Sequence, residues 1–234
     1  MSDTPSILAV IPARGGSKRV PRKNLRPLAG QPLIVHAFAA ARRCARLSRL
    51  IVSTDDVEIA ALAKASGVEV PFLRPAALAT DEATAVDVAM HALENVRRED
   101  GSRYDILVWL QPTCPLRQPE DIDGTIDKLI DSGADSVFTV CPADSCNPAY
   151  WYVVEDDRPR PLMAPEASAA LGKISGDVLL RNGAVYAVRT SVFLARRSFY
   201  GNDTRVYRMP AERSVNIDTE VDFQLAEVLA CQGS

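Results

Sequence analysis

The feature that most constrains the fold is a regular alternation of apolar segments and amphipathic segments through the first 140 residues. The apolar segments have the length and composition of buried strands, and they occupy residues 6–12, 49–54, 105–110 and 135–141. The intervening segments carry apolar residues at helical spacing, and they occupy residues 31–45, 57–66, about 82–98 and 119–130. This alternation predicts an α/β fold with a doubly wound, mostly parallel sheet and right-handed crossovers.

The alternation changes after Cys141. Residues 142–181 contain many Pro, Ala and acidic residues, which predicts an insertion or arm within a single domain spanning residues 1–234. The strand pattern resumes at residues 183–189 and 205–209, and a final helix is expected over 219–230. Thr219 and Asp222 have the spacing of a capping box at the start of that helix.

Composition excludes several classes of protein. The formal net charge of -3 argues against a nucleic-acid binder, and no apolar run approaches the roughly 20 residues of a membrane span. The polar first residues, MSDTPS, do not resemble a secretory signal. Five cysteines without a CxxC pair indicate a reduced, cytoplasmic protein. With two histidines, a carboxylate-held Mg²⁺ is a better expectation than a histidine-built zinc site.

The loop after the first strand concentrates positive charge. The stretch IPARGGSKRVPRKN, residues 11–24, carries five cationic side chains around Gly15 and Gly16. Such a loop lies at the carboxyl edge of the sheet, where ligands bind, and the glycines allow a tight turn and close approach to a ligand. A solvated basic loop is the alternative, but the glycines, the preceding strand and the acidic chain favour a polyphosphate site. Neither GxxxxGK[ST] nor GxGxxG is present.

This loop resembles the signature of the CMP-N-acylneuraminate synthetases, also called acylneuraminate cytidylyltransferases. Four further segments resemble the same family in the same order, namely RPAALATDEAT (74–84), LQPTCPLR (110–117), RNGAVYAVR (181–189) and SVNIDTEVDFQLAE (214–227). The resemblance covers nearly the whole chain and implies a Rossmann-like, nucleotide-diphospho-sugar transferase-like fold. It also implies that CTP is joined to a nonulosonic acid, a nine-carbon α-keto sugar acid, with release of pyrophosphate and a requirement for Mg²⁺.

The resemblance also implies roles for individual residues on the nucleotide side. The residues expected to bind the nucleotide are Arg14, Gly15, Gly16, Ser17, Lys23, Asn24 and Arg74. Arg14 and Lys23 correspond to the main triphosphate contacts and are expected to be catalytic. Asn24 corresponds to a ribose or phosphate contact. Arg74 corresponds to an arginine near the nucleotide, with an ordinary surface ion pair as the alternative.

On the sugar side, Gln111 corresponds to a glutamine that faces the sugar acid. Arg181 is the first choice for pairing with the sugar carboxylate, and Lys173 is the second. Asn182 and Tyr186 are expected to line the same site, although Tyr186 could equally be a packed strand residue.

The segment VNIDTE carries the expected metal site. Asp218 is the best Mg²⁺ ligand and a catalytic candidate, with helix capping as the alternative. The familiar form of the segment is DIDTE, so Asn216 replaces an acid and can ligate Mg²⁺ only through a neutral amide oxygen. Cys114 stands where the family usually has serine, and a nucleophilic role for it is disfavoured.

Residues 142–181 resemble the dimerisation element of the family, which implies a homodimer. Tyr150, Trp151 and Tyr152 are either interface anchors or local core.

The precise sugar stays open among N-acetylneuraminate, legionaminate and pseudaminate, and a different sugar or sugar phosphate is a further alternative. A non-catalytic nucleotide-binding subunit is the alternative from another class. Its support is Asn216 and the divergent arm, whereas retention of Arg14, Lys23, Gln111 and Asp218 argues against it.

Overall fold

The computed structural model describes residues 4–143, 152–155, 158–161 and 178–232. The strands are β1 Ile7–Pro12, β2 Pro27–Leu28, β3 Gln31–Pro32, β4 Arg49–Ser53, β5 Ile106–Trp109, β6 Ser136–Pro142, β7 Tyr152–Glu155, β8 Arg158–Pro161, β9 Leu179–Arg189 and β10 Thr204–Arg208. The α-helices are α1 Leu33–Arg42, α2 Val57–Ala65, α3 Ala85–Asp100, α4 Pro119–Ser132, α5 Thr190–Arg196 and α6 Glu220–Gln232.

A six-stranded sheet forms the centre of the molecule, in the order β10-β6-β9-β5-β1-β4. β1 pairs in parallel with β4 and β5, and β10 pairs in parallel with β6. β9 runs antiparallel between β5 and β6. The predicted doubly wound, mostly parallel sheet is confirmed, and its one antiparallel strand is β9, whose direction the sequence pattern did not indicate.

Both faces of the sheet are buried, as β1 shows. Its alternate residues Ile7, Ala9 and Ile11 face one apolar cluster, which includes residues of α1 and α4. Leu8 and Val10 face a second cluster, which includes residues of α3 and α5. Because successive side chains of a strand point to opposite faces, an uninterrupted apolar strand requires helices on both sides.

Capping residues mark where α2, α3 and α6 begin, and for α3 they account for a difference from the predicted bounds. Asp56 caps α2 by accepting from the backbone N–H groups of Glu58 and Ile59. Thr84 and Asp87 form a capping box, so α3 begins at Ala85 rather than at residue 82. The predicted box of Thr219 and Asp222 is present at the start of α6.

The predicted arm is described only in part. β7 and β8 form an antiparallel hairpin, whereas Tyr150, Trp151, Lys173 and the side chain of Tyr152 lie outside the described residues. The expected dimer anchors therefore stay a prediction. No helix in the described ranges is long and apolar enough to cross a membrane.

Candidate active site

A cleft of about 580 Å³ opens at the carboxyl end of β1 and β5, where an α/β sheet of this kind binds ligands. It brings together side chains from distant parts of the sequence. Among the residues predicted for the site, it is lined by Arg14, Gly16, Ser17, Lys23, Asn24, Arg74, Gln111, Arg181, Asn182, Tyr186, Asn216 and Asp218. Gly15 lies behind this surface, where its backbone N–H donates to Asp55 Oδ1 (3.2 Å).

The two glycines of the loop have different structural roles. An added Cβ on Gly15 would lie 2.5 Å from Asp56 Oδ2, so Gly15 permits close contact with the N-cap of α2. An added Cβ on Gly16 would meet nothing within 4 Å. Neither glycine is among the described residues with a positive φ. The expectation of a turn that depends on glycine φ/ψ freedom is therefore corrected, because Gly15 is required by packing.

A small apolar cluster holds the far end of this loop against the last helix. Val20, Leu28, Ile217 and Phe223 belong to it, and each is at most 1% exposed. This packing places Lys23 beside the segment that precedes α6. Lys23 Nζ donates to the Ile217 carbonyl (2.5 Å) and lies 3.7 Å from Asp218 Oδ1. Burial lowers the pKa of Lys23, and the Asp218 carboxylate opposes that shift.

Most cations of the loop pair with acids from other segments. Arg14 Nη2 lies 2.8 Å from Asp81 Oδ1, and Lys18 pairs with the other oxygen of the same carboxylate. Arg22 pairs with Glu58. Together with Lys23, four of the five loop cations thus have an acidic partner among the described residues.

Arg74 is buried rather than paired at the surface. The residue is 7% exposed, and its guanidinium donates to the carbonyls of Leu78 (3.3 Å) and Ser53. The surface ion-pair alternative is therefore wrong. Burial lowers the pKa of Arg74 to about 10, so the group stays cationic at neutral pH. It offers the cleft a fixed positive charge, as a nucleotide contact would require.

Asn24 and Asn182 use their amides mainly to support the walls of the cleft. Asn24 Nδ2 donates to the Arg14 carbonyl (3.0 Å) and so holds the loop in place. Asn182 Oδ1 accepts from Thr139 Oγ1 (2.6 Å), and its Nδ2 donates to Ser214 Oγ (2.9 Å). The amide of Asn182 is thus occupied at both ends, and the residue shapes the cleft more than it offers a free donor.

Arg181 and Tyr186, both on β9, line the cleft. Arg181 is exposed and donates to the Tyr200 hydroxyl, and its guanidinium carbon lies 5.7 Å from the Tyr200 ring centroid. Tyr186 is 9% exposed, and burial raises its pKa to about 12, so its hydroxyl stays protonated. Tyr186 is therefore both a packed strand residue and part of the cleft wall.

Sequence reasoning missed three residues of the site. Tyr200 supports Arg181, and a single aromatic residue outside any motif gave no signal for it. Gly183 has φ 80°, and an added Cβ would lie 2.9 Å from Gln111 Oε1. The sequence shows Gly183 within the RNGAVY segment, but it could not indicate the contact between Gly183 and Gln111. Asp81 was visible in LATDEAT, and it lines the cleft and pairs with Arg14 and Lys18 of the glycine loop.

Cys114 lies beneath the cleft and is fully buried. Its thiol donates to the Asn182 carbonyl (3.2 Å), and Asn216 Oδ1 is 3.7 Å from the sulfur. Burial raises the pKa of Cys114 to about 11. The group is therefore a thiol at neutral pH, which agrees with the expectation that it is no nucleophile.

A Mg²⁺ ion in the cleft would have few protein ligands. In the described ranges, no three His, Cys, Asp or Glu side chains converge as a metal site. Asp218 offers a carboxylate to the cleft, while its helix is capped by Thr219 and Asp222, so the capping alternative for the Asp218 side chain is wrong. Asn216 Nδ2 donates to Asp218 Oδ2 (3.0 Å), so its oxygen would ligate a cation only after the amide rotates. These donors fit a site with one carboxylate, completed by oxygens of a bound nucleotide.

Comparisons with known proteins agree with this geometry. The chain is 35% identical over 226 residues to a CMP-N,N'-diacetyllegionaminic acid synthase of Legionella pneumophila, covering 95% of both chains. It is 30% identical over 220 residues to an N-acylneuraminate cytidylyltransferase of Escherichia coli, covering 94% of this chain and 51% of the relative.

Its fold matches a solved CMP:2-keto-3-deoxy-manno-octonic acid synthetase complexed with CTP, with a TM-score of 0.71 and 21% identity over 98% of this chain and 100% of the other. The family model described as Cytidylyltransferase matches residues 8–229. The resemblance found in the motifs is thus confirmed, and the chain belongs to the cytidylyltransferase family.

Proposed function

We propose that this protein joins CTP to a nonulosonic acid, giving the CMP-sugar and pyrophosphate. The observation that carries the proposal is one cleft with two chemically different ends. Arg14 and Arg74, beside β1 and β4, and Lys23 supply positive charge, whereas Gln111 and Arg181 lie at β5 and β9, further along the sheet. Two relatives are named for diacetyllegionaminic acid and for N-acylneuraminate. These names support an acidic sugar as the second substrate.

The nucleotide end is suited to a triphosphate. Arg14 and Lys23 provide charge-assisted hydrogen bonds to phosphate oxygens, and Ser17 adds a hydroxyl donor. Because Lys23 is largely enclosed, with 13% of its side chain exposed, its charge acts through less water than a surface lysine's would. Charge held in place before the reaction stabilises the negative charge that develops on the departing pyrophosphate.

The sugar end is suited to a carboxylate and its polar neighbours. Arg181 can bind a carboxylate in bidentate fashion, and Tyr200 holds its guanidinium toward the cleft. Gln111 and Tyr186 then face the body of the sugar. With both substrates fixed, the anomeric hydroxyl oxygen forms a bond to the α-phosphorus and its proton passes to a base. The bond between the α-phosphorus and the oxygen bridging to the β-phosphate breaks, that oxygen leaves with pyrophosphate, and positioning supplies much of the rate.

Mg²⁺ is the proposed cofactor, held by Asp218 and the amide oxygen of Asn216 together with phosphate oxygens. When bound, it would neutralise negative charge on the triphosphate and leaving pyrophosphate. We also propose that the protein is a cytoplasmic homodimer. The thiols of Cys44, Cys114 and Cys231 are free of disulfides, which fits a reducing compartment, and residues 142–181 are the proposed dimer element.

The test is pyrophosphate release from CTP and Mg²⁺ with a panel of nonulosonic acids, including N-acetylneuraminate, legionaminate and pseudaminate, and with ATP, GTP and UTP in place of CTP as controls. Release that needs CTP and one acid of the panel would establish the reaction and identify the sugar. CTP binding without release from any sugar or sugar phosphate would instead favour a non-catalytic nucleotide-binding subunit.

A further inference from the structure

Asp81 places a carboxylate in the cleft, against Arg14, which is proposed to bind phosphate, and against Lys18 of the same loop. Its two oxygens pair separately with Arg14 (2.8 Å) and Lys18. Arg14 also donates to the Thr80 carbonyl (3.1 Å), so one face of its guanidinium is directed at this segment. The pairing lowers the pKa of Asp81, chiefly through the hydrogen bonds from Lys18 and Arg14.

A bound triphosphate needs these same donors. Arg14 uses Nη2 for Asp81 and Nη1 for the Thr80 carbonyl, so two of its five N–H groups are not available to phosphate oxygens. The carboxylate would also lie within a few ångströms of several phosphate charges, where like charges repel. A triphosphate can therefore engage Arg14 and Lys18 fully only when Asp81 moves away.

The segment that carries Asp81 is built to make such a movement local. It is anchored on one side by the hydrogen bond from Arg74 to the Leu78 carbonyl (3.3 Å). On the other side, Thr84 and Asp87 cap α3. Thr80, Asp81 and Glu82, between these anchors, are exposed, so few packing contacts oppose their displacement.

We infer that Asp81 is an internal counter-anion, which competes with polyphosphate for Arg14 and Lys18 and thereby weakens the binding of CTP and pyrophosphate. Asp81 is a positioning residue in this role, since it acts through the two cations. The inference rests on the proposed function for the identity of the nucleotide. Its consequence for turnover is that the returning carboxylate helps to displace pyrophosphate after the reaction.

The neighbouring residue provides a matched control. Glu82 is an exposed acid of the same segment, and no ion pair joins it to the loop cations in the described part of the chain. Asp81→Asn and Glu82→Gln therefore remove the same charge from adjacent positions, but only the first removes the pairing. Asp81→Glu keeps the charge and should preserve the wild-type behaviour.

The experiment measures dissociation constants of CTP, inorganic tripolyphosphate and CMP for the four proteins by calorimetry, with and without Mg²⁺. We expect Asp81→Asn to bind CTP and tripolyphosphate about 3- to 10-fold more tightly, a size typical of one or two partly exposed charge pairs. CMP, with one phosphate, should change by less than about 2-fold, as should every ligand in Glu82→Gln. Inhibition by pyrophosphate should strengthen by the same factor as CTP binding, and the gain should shrink at high salt.

Unchanged or weaker polyphosphate binding in Asp81→Asn would overturn the inference, and so would an equal gain in Glu82→Gln. Absence of tripolyphosphate binding to any of the proteins would overturn it as well, because the cations would then form no anion site. A failure of the proposed function can be distinguished from a failure of this inference. If the proteins bind tripolyphosphate but not CTP, that function is wrong while the competition by Asp81 can still be measured. Thermal unfolding of each variant checks that the fold is retained.

Discussion

Lys23 joins two parts of the cleft that lie 194 residues apart in the sequence, through its hydrogen bond to the Ile217 carbonyl. We expect Lys23→Ala to lower kcat/KM by roughly 10²- to 10³-fold, the range for losing one preorganised charge at a reacting phosphate. The lost hydrogen bond should cost about 1 kcal/mol of folding free energy, so the fold should persist. Pyrophosphate release and urea unfolding are the measurements.

Arg19→Ala is the control for that experiment, because Arg19 is an exposed cation of the same loop to which no phosphate contact is assigned. Its turnover should stay within about 3-fold of wild type, as expected of a screened surface charge. Near-normal turnover in Lys23→Ala would remove the phosphate role of this residue.

Substitution of Asn216 measures the effect of one added charge at the proposed Mg²⁺ site. Asn216→Asp would place a second carboxylate where an amide now donates to Asp218 (3.0 Å). Without metal, the two like charges should lower the thermal midpoint by a few degrees, corresponding to about 1 kcal/mol. Mg²⁺ should restore the midpoint, and Mg²⁺-dependent turnover should hold or rise.

The comparison is thermal unfolding of both proteins in EDTA and in Mg²⁺, followed by turnover. Asn216→Gln serves as the control, because it alters side-chain length without adding charge and so should gain no stabilisation by Mg²⁺. A clear loss of turnover in Asn216→Asp at saturating Mg²⁺ would mean that the amide has a role of its own.

At this scale, sequence motifs were enough to place Arg14, Lys23, Gln111 and Asp218 in one cleft. They could not show which polar side chains already have hydrogen-bond partners within the protein. The saturation of the Asn182 amide and the support of Arg181 by Tyr200 depend on contacts between segments that only the fold brings together. The same holds for the pairing of Asp81 with the loop.

The elements were largely predictable because local signals agreed with the overall pattern. Apolar runs marked the central strands, and Thr219 marked the start of the last helix. The direction of β9 was not predictable, since an apolar strand buried on both faces has the same composition whether it runs parallel or antiparallel. The segment before it, residues 142–181, carried no helical periodicity from which a parallel crossover could be inferred.

The loop after β1 gives a paired prediction at the scale of an element. Gly15→Ala would place a Cβ 2.5 Å from Asp56 Oδ2 and disturb the cap of α2. We expect it to destabilise the protein by about 1–3 kcal/mol, as overpacking does. In Gly16→Ala the added methyl meets nothing within 4 Å, so stability should change by less than about 0.5 kcal/mol.

Urea unfolding measures the free energy of unfolding of Gly15→Ala, Gly16→Ala and wild type. Equal losses in both would mean that loop flexibility, rather than contact with Asp56, is what the glycines provide. Weakened CTP binding in Gly15→Ala should accompany its lost stability, because the displaced loop carries Arg14 and Ser17.

For the whole molecule, charge is arranged so that an acidic chain can hold a basic site. The net charge is -3, yet the loop concentrates five cations beside one cleft, and acids from separate segments partner four of them in the described structure. Three acids (Asp81, Glu58 and Asp218) thus offset part of the loop charge, and the site stays net positive. Such an arrangement limits the self-repulsion that a free basic loop would bring to the folded state.

Stability of the whole molecule should fall in mild acid, in part because of His91. Burial lowers the pKa of His91, and the nearby charge of Arg74 adds to the effect; Arg98 acts in the same direction, whereas Glu94 opposes it. Its Nδ1 is buried without a hydrogen-bond partner in the described structure. A histidine whose folded pKa lies below its unfolded value of about 6.5 stabilises the fold above that pH, and this contribution is lost as pH falls toward the folded value.

The carboxylates with lowered pKa values, such as Asp81 and Glu220, act in the same direction, but only near and below pH 4. The window between pH 8 and pH 5.5 therefore isolates the histidine contribution.

His91→Phe provides the test, because a phenyl ring can keep the edge-on contact with Phe72, whose centroid lies 4.8 Å from the imidazole. Between pH 8 and pH 5.5, urea unfolding should show that wild type loses more stability than the variant, by less than about 1 kcal/mol since solvent partly screens the ring. The comparison at pH 8, where His91 is neutral, separates packing from titration. Equal losses in the two proteins over this pH range would show that His91 makes no contribution to acid sensitivity.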